Sequence, residues 1–189
     1  MLLTLETAPA KLPVSMADVR QQLRIDGDDE TAAMDRYLRV AVAAVDGRGA
    51  LGRPMITQSW AQWVYNPTEV RVQMVPFQSL TSVEYYDSDG VLQTDTLSNY
   101  EAVGAGDRVW IRPKDGFEWP DQEDRPDAVK ITYQAGYGDD PENVPEHVRQ
   151  AILLLVTHMF EERMPVGKGM EMPWMVNDLL NMERVTWYA

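Results

Sequence analysis

Val83-Glu84-Tyr85-Tyr86-Asp87-Ser88-Asp89-Gly90-Val91-Leu92 sets Asp89-Gly90 between two runs rich in β-branched and aromatic residues. That dipeptide favours the positive backbone angles of a tight hairpin turn, and it is the strongest hairpin signal in the chain. Strand-like runs continue on both sides. Segments 55–65, 70–75, 81–87, 91–95, 108–112 and 128–134 are rich in Val, Ile, Thr, Tyr and Trp and are separated by Pro, Gly, Asn and Asp. The connections are too short for parallel crossovers, so an antiparallel sheet is expected from Pro54 to Gly138. Lys114 to Asp127 holds Gly116, Pro120, Pro126 and six acidic residues, and reads as an exposed loop.

Outside this zone the apolar period changes from two to nearly four. Ser15 can cap a helix carrying Met16, Val19 and Leu23, with Asp18 placed for a capping box. Asp28 or Asp29 can cap a second helix with Met34, Tyr37, Leu38, Ala41, Val42 and Val45 on one stripe, ending at Gly47 and Gly49. Pro145 suits the first turn of a third helix reaching about Arg163, whose middle from Ile152 to Phe160 is apolar almost all round. Such a helix belongs at the centre of a bundle. After a Gly/Pro/Met-rich link at 164–172, Pro173 can start a last short helix with Met175, Val176, Leu179 and Leu180. The expectation is a single α+β domain. Residues 13–53 and 141–183 make a small helical bundle, 54–138 an inserted antiparallel β module, and 184–189 a C-terminal tail.

Composition narrows the function classes. The 189 residues include 17 basic and 30 acidic side chains, a net charge of −13, which opposes adsorption to nucleic acid or anionic lipid. The absence of cysteine excludes disulfides, thiol nucleophiles and thiolate metal sites. The longest apolar run, Ala151–Val156, is far below the ~20 residues of a membrane helix, and the N-terminus lacks a signal-peptide pattern. A soluble protein with no membrane association is expected.

Motifs with chemical potential are weak. Gly47-Arg48-Gly49-Ala50-Leu51-Gly52 matches GxGxxG, but it follows a helix and leads into a strand, the reverse of a dinucleotide site. Gly136-Tyr137-Gly138 is followed by Asp139, Asp140 and Glu142, which would repel a phosphate, so it reads as a hinge with an acidic lead-in to the helix. Asp26-Gly27-Asp28-Asp29-Glu30 fails the calcium-loop spacing, with Thr31 sixth and Tyr37 twelfth. His147 and His158 lie ~16 Å apart along one helix and cannot share an ion. His158 with Glu161 or Glu162 offers two ligands, which do not make a site. No catalytic residue, cofactor or metal is expected.

The remaining anomaly is apolar residues near a chain end. Met170, Met172, Trp174, Met175, Met182, Trp187 and Tyr188 have the composition of an interface core, although folding back on the bundle would also account for them.

Several segments resemble one family. Val14-Ser15-Met16-Ala17-Asp18-Val19-Arg20-Gln21-Gln22-Leu23-Arg24-Ile25-Asp26 with the Ala/Val-rich helix after it is similar to the start of tailed-phage head–tail connector proteins, also found in gene transfer agents. Gly52-Arg53-Pro54-Met55-Ile56-Thr57-Gln58-Ser59-Trp60 resembles that family's lead into its β module. Pro76 to Val83, Ile131 to Gly138 and Val144-Pro145 through Glu161 are similar again, so the resemblance spans about 14–163. It implies a non-enzymatic structural adaptor in the virion neck, assembled in the bacterial host cytoplasm. Such adaptors form a homo-oligomeric ring, commonly twelve-fold, beneath the portal protein. The ring extends the DNA channel without specific DNA binding and meets a downstream stopper or tail protein. Portal binding is then expected at Met172, Trp174, Leu179, Leu180, Met182, Val185, Trp187 and Tyr188, with ring contacts on the β module and the bundle sides. Another neck component, a stopper or tail-completion protein, is the alternative, and a small enzyme of unknown type a more distant one.

Overall fold

The computed structural model describes residues 2–27, 30–162 and 172–184. It is an α+β fold, and the chain divides into two compact units. One comprises Met1–Pro9 and Thr57–Gly136, the other Ala10–Ile56 and Tyr137–Ala189.

The second unit is helical: α1 (Met16–Leu23), α2 (Thr31–Val45), α3 (Glu146–Glu161) and α4 (Trp174–Asn181). Ser15 and Asp18 form the expected capping box, in which the Ser15 hydroxyl accepts from the Asp18 amide and the Asp18 carboxylate accepts from the Ser15 amide. Arg24 then takes a left-handed conformation and ends α1. The expected cap of α2 at Asp28 or Asp29 lies outside the described residues; Glu30 immediately precedes the helix, without a side-chain cap bond. Helix α3 buries Val148, Ala151, Ile152, Leu155, Val156 and Met159 and packs against the other three helices. Around it close Val19 of α1, Met34, Leu38, Ala41 and Val45 of α2, and Val176 and Leu180 of α4. Each buried Val, Leu, Ile or Met among them contributes roughly 1.5–3 kcal/mol of gross burial. Tyr37 and Phe160 meet edge to face, with ring centroids 6.4 Å apart.

The first unit holds eight strands in two antiparallel sheets. They are β1 (Leu2–Thr7), β2 (Gln58–Val64), β3 (Val70–Arg71), β4 (Phe77–Tyr86), β5 (Leu92–Thr94), β6 (Tyr100–Ala105), β7 (Arg108–Pro113) and β8 (Val129–Ala135). The order is β1-β2-β8-β4-β5 in one sheet and β3-β7-β6 in the other. Register places Trp60 opposite Tyr133 and Gln62 opposite Ile131, so these alternate residues share a buried face. The other sheet buries Val70, Val109 and Ile111. The sheets are bridged by buried Gln62, whose amide donates to the Arg71 carbonyl at 2.9 Å and whose oxygen accepts from the Gln73 amide at 3.2 Å. Tyr133 joins this network, its hydroxyl accepting from the Met74 amide, and burial pushes that phenol up to about 12.

The Asp89-Gly90 hairpin forms between β4 and β5 as expected, with the Asp87 carboxylate accepting from the Asp89 and Val91 amides. Strands β1 and β6 were not anticipated. Leu2–Thr7 becomes a strand because β2 supplies its partner, and Tyr100–Ala105, poor in β-formers, is held by β7. The acidic loop 114–127 has no helix or strand, yet it is pinned. The Trp119 ring lies 4.9 Å from that of Tyr100, and its indole N–H donates to the Thr68 carbonyl at 3.0 Å. The Arg125 guanidinium sits 3.7 Å over the Tyr86 ring and bonds both oxygens of Asp127.

Replacing Ser15 with Ala should lower unfolding stability by about 1 kcal/mol, read from urea denaturation. Bonds from the Ser15 hydroxyl and amide hold the Asp18 carboxyl below its ordinary pKa. Its contribution is therefore complete above about pH 4 and is lost as pH falls through the lowered folded value, so the difference between Ser15→Ala and wild type should shrink on acidification.

Candidate docking site on the C-terminal helix

Helix α4 is short, eight residues, and two-faced. Val176 and Leu180, one turn apart, are fully buried in the helical core, with Leu179 and Met172 packed partly against it. The opposite face carries Trp174 at 73% exposure, Met175 at 46% and, just past the helix, Met182 at 68%. Met175 and Met182 are seven residues apart and align, with Trp174 beside Met175. The expected portal-contact residues thus separate by role. Leu180, and in part Leu179 and Met172, hold the helix to its own core, while Trp174 and Met182 face outward. Val185, Trp187 and Tyr188 lie outside the described residues. Met175, one of the interface-like residues of the chain end but outside the expected portal set, is outward as well; its seven-residue spacing to Met182 was the available signal.

The end of this segment is fixed by polar contacts. The Glu183 carboxylate accepts from the Tyr137 hydroxyl at 2.9 Å and lies 3.6 Å from His147 Nε2, and its carbonyl accepts from Arg53 Nε. Arg184 Nε donates to the Ala50 carbonyl at 2.8 Å. No local sequence pattern points to these partners, because they come from three separate stretches, around 50–53, 137 and 147. Together they hold the helix so that the exposed tryptophan and methionines face outward from an anchored base.

The weaker motifs resolve into structural roles. In the 47–52 turn the Gly47 amide donates to Arg53, Ala50 to Ala44 and Leu51 to Val45, so these N–H groups satisfy neighbouring carbonyls rather than facing a phosphate. A Cβ at Gly49 would lie 2.5 Å from the Ala44 carbonyl oxygen, which is why glycine stands there. At Gly138, with φ of 156°, a Cβ would lie 2.5 Å from Asn143 Oδ1, and that oxygen accepts from the Asp140 amide. His158 lies 3.7 Å from Glu162, and among the described residues no three His, Asp or Glu side chains are grouped to hold a metal ion. A groove of about 430 Å³ between α1 and α3 is lined by Asp18, Arg24, Glu146 and Arg149 among others. Asp18 is committed to the helix cap and Glu146 pairs with Arg149, leaving neither placed as a proton donor.

No family model matches the chain, and no curated protein does. Solved structures match it along its whole length. One is a chain of a structure described as the neck of an empty gene transfer agent particle computed with C6 symmetry, with a TM-score of 0.80 and 23% identity. The alignment covers 100% of this chain and 98% of that one. The fold is shared with a gene transfer agent neck chain. A chain of the virion of a native gene transfer agent particle matches at 0.77 with 24% identity. A neck of the native particle computed with C12 symmetry matches at 0.76 with 23%. In both, coverage is again 100% of this chain and 98% of the other. The match agrees with the resemblance to head–tail connectors noted in the sequence.

The two-faced reading of α4 has a direct thermodynamic consequence. Leu180→Ala should cost roughly 2–5 kcal/mol, whereas Trp174→Ala should stay within about 0.5 kcal/mol of wild type, both read from chemical denaturation. A large loss at Trp174 would mean that the indole packs on its own chain.

Proposed function

We propose that this chain is a non-enzymatic structural component of a virion neck, an adaptor that forms a ring beneath the portal and extends the DNA channel toward the tail. The observation that carries this reading is the fold match over the full length of chains from gene transfer agent neck structures. The C6 and C12 symmetries of those necks support a ring of identical copies. Docking to the portal falls to the outward face of α4, Trp174, Met175 and Met182, and to Val185, Trp187 and Tyr188, which follow it in the sequence. A large aromatic with flexible thioethers beside it suits insertion into an apolar cleft of a partner. Leu180 and Leu179 contribute by holding that face in place.

The charge balance fits a conduit. A net −13 repels the DNA phosphates, so a duplex passing through such a ring would slide rather than bind. Replacing lumen-facing acids with Lys should then slow DNA release from assembled particles, and unchanged release kinetics would count against an acidic lumen.

The deciding experiment mixes the purified chain with the portal ring of the same particle and images the product. A symmetric collar on the portal is expected. Truncation after Met172 would also strip Val176 and Leu180 from the core, so the cleaner variant is Trp174→Ser, Met175→Ser and Met182→Ser together. Loss of the collar with an unchanged melting temperature would assign docking to α4. A collar that survives moves docking to another surface, and no collar with the wild-type chain would favour a later neck component such as a stopper.

A further inference from the structure

We propose that neighbouring copies of this chain join head to tail through the two open sides of the β unit, with β5 and β6 of one copy lying against β1 of the next. The inference rests on the ring reading above and names the surfaces that would build it. In the five-stranded sheet β1 and β5 are the terminal strands, and in the three-stranded sheet β6 is terminal. Buried Gln62 of β2 bonds Arg71 of β3, so β3 overlies the β1–β2 side of the larger sheet. Residues 95–99 join β5 directly to β6, which puts those two ends on the opposite side. The unit therefore has two different open sides facing away from each other.

Both sides expose large apolar side chains and carry little charge, although β5 is only three residues long. Strand edges are normally blunted by charge, proline or a covering segment, because their free N–H and C=O groups template pairing. Residues 91–94 and 102–106 contain no charged side chain and no proline, and the one charge of β6, Glu101, is paired with Arg112, in a unit with 14 acidic against 6 basic residues. Val91, Leu92, Leu97 and Val103 are exposed on this side, and Leu2 and Leu5 on the other. The single charge in β1, Glu6, lies 3.4 Å from Lys130 and is offset by it. Half of the large exposed apolar side chains among the described residues thus sit on the two open sides.

A second copy is the occupant this arrangement fits. Closed rings of identical subunits need a heterologous contact between two distinct patches. Pairing β1 of one copy with β5 of the next would continue the five-stranded sheet from subunit to subunit, satisfying both edges and burying Leu2 and Leu5 against Val91 and Leu92. The same-side β6, with Val103, would flank that seam.

The chain contains no cysteine, so introduced thiols report proximity without background. Full-length Leu5→Cys and Leu92→Cys copies would be made singly and combined, then treated with a short bismaleimide, which tolerates an offset in register. The double variant should give a ladder of covalent oligomers, an equimolar mixture of the single variants should give covalent dimers, and each single variant alone should give no cross-link. In parallel, Leu92→Lys with Val103→Lys should convert the wild-type oligomer to monomer by native mass spectrometry at an unchanged melting temperature. A wild-type ring that gives no ladder, or that persists in the lysine variant, overturns this contact and leaves the ring reading standing. Cross-linking of Leu92→Cys to itself overturns the head-to-tail arrangement. A wild-type chain that is monomeric alone and on the portal overturns both.

Discussion

The helical unit depends on one constraint: a sixteen-residue helix, α3, that is apolar around most of its circumference and cannot face water. It can be covered only by helices recruited from both ends of the chain. Helices α1 and α2 come from before residue 46, and α4 from after residue 173. Bringing those stretches together turns everything between Thr57 and Gly136 into an excursion that must form its own core. The excursion succeeds because its strands alternate. Trp60, Ile131, Tyr133 and Val83 go inward, and the polar Gln62 that goes with them has its amide hydrogen-bonded.

The same constraint gives α4 its double character. Val176 and Leu180 complete the cover of α3, and eight residues are too few to bury more than one stripe. The remaining apolar side chains, Trp174, Met175 and Met182, are left outside by geometry. Propensity alone would hold so short a helix poorly in water, so its orientation depends on the core stripe and on the Glu183 clasp with Tyr137 and Arg53. An exposed tryptophan on an anchored element loses less conformational entropy on docking than one on a free tail.

Legibility in the sequence followed the strength of local signals. The capping box at Ser15, the Asp89-Gly90 hairpin and the long apolar helix were all readable, because each rests on contacts within a few residues or on a sustained period. Strand β6 was not, since Tyr-Glu-Ala-Val-Gly-Ala has little β-propensity and is held by its register with β7. Strand β1 was missed for a related reason: Leu2–Thr7 alternates only briefly, and its pairing partner lies more than fifty residues away. On α4, apolar character alone groups Leu180 with Trp174. Only the helical phase separates them, because positions 176 and 180 lie on one face and 174 on the other.

The acidity of the chain and the neutrality of its sheet edges become consistent when taken together. Surplus negative charge spread over a surface opposes contact with like-charged surfaces, so contacts are favoured where charge is withheld. In the β unit those places are segments 91–94 and 102–106 on one side and β1, with its glutamate offset by Lys130, on the other. The outward face of α4 follows the same rule, since among its exposed side chains only Asp178 is charged beside Trp174, Met175 and Met182. Contacts placed there would gain selectivity, because a wrong pairing would bring acidic surface against acidic surface.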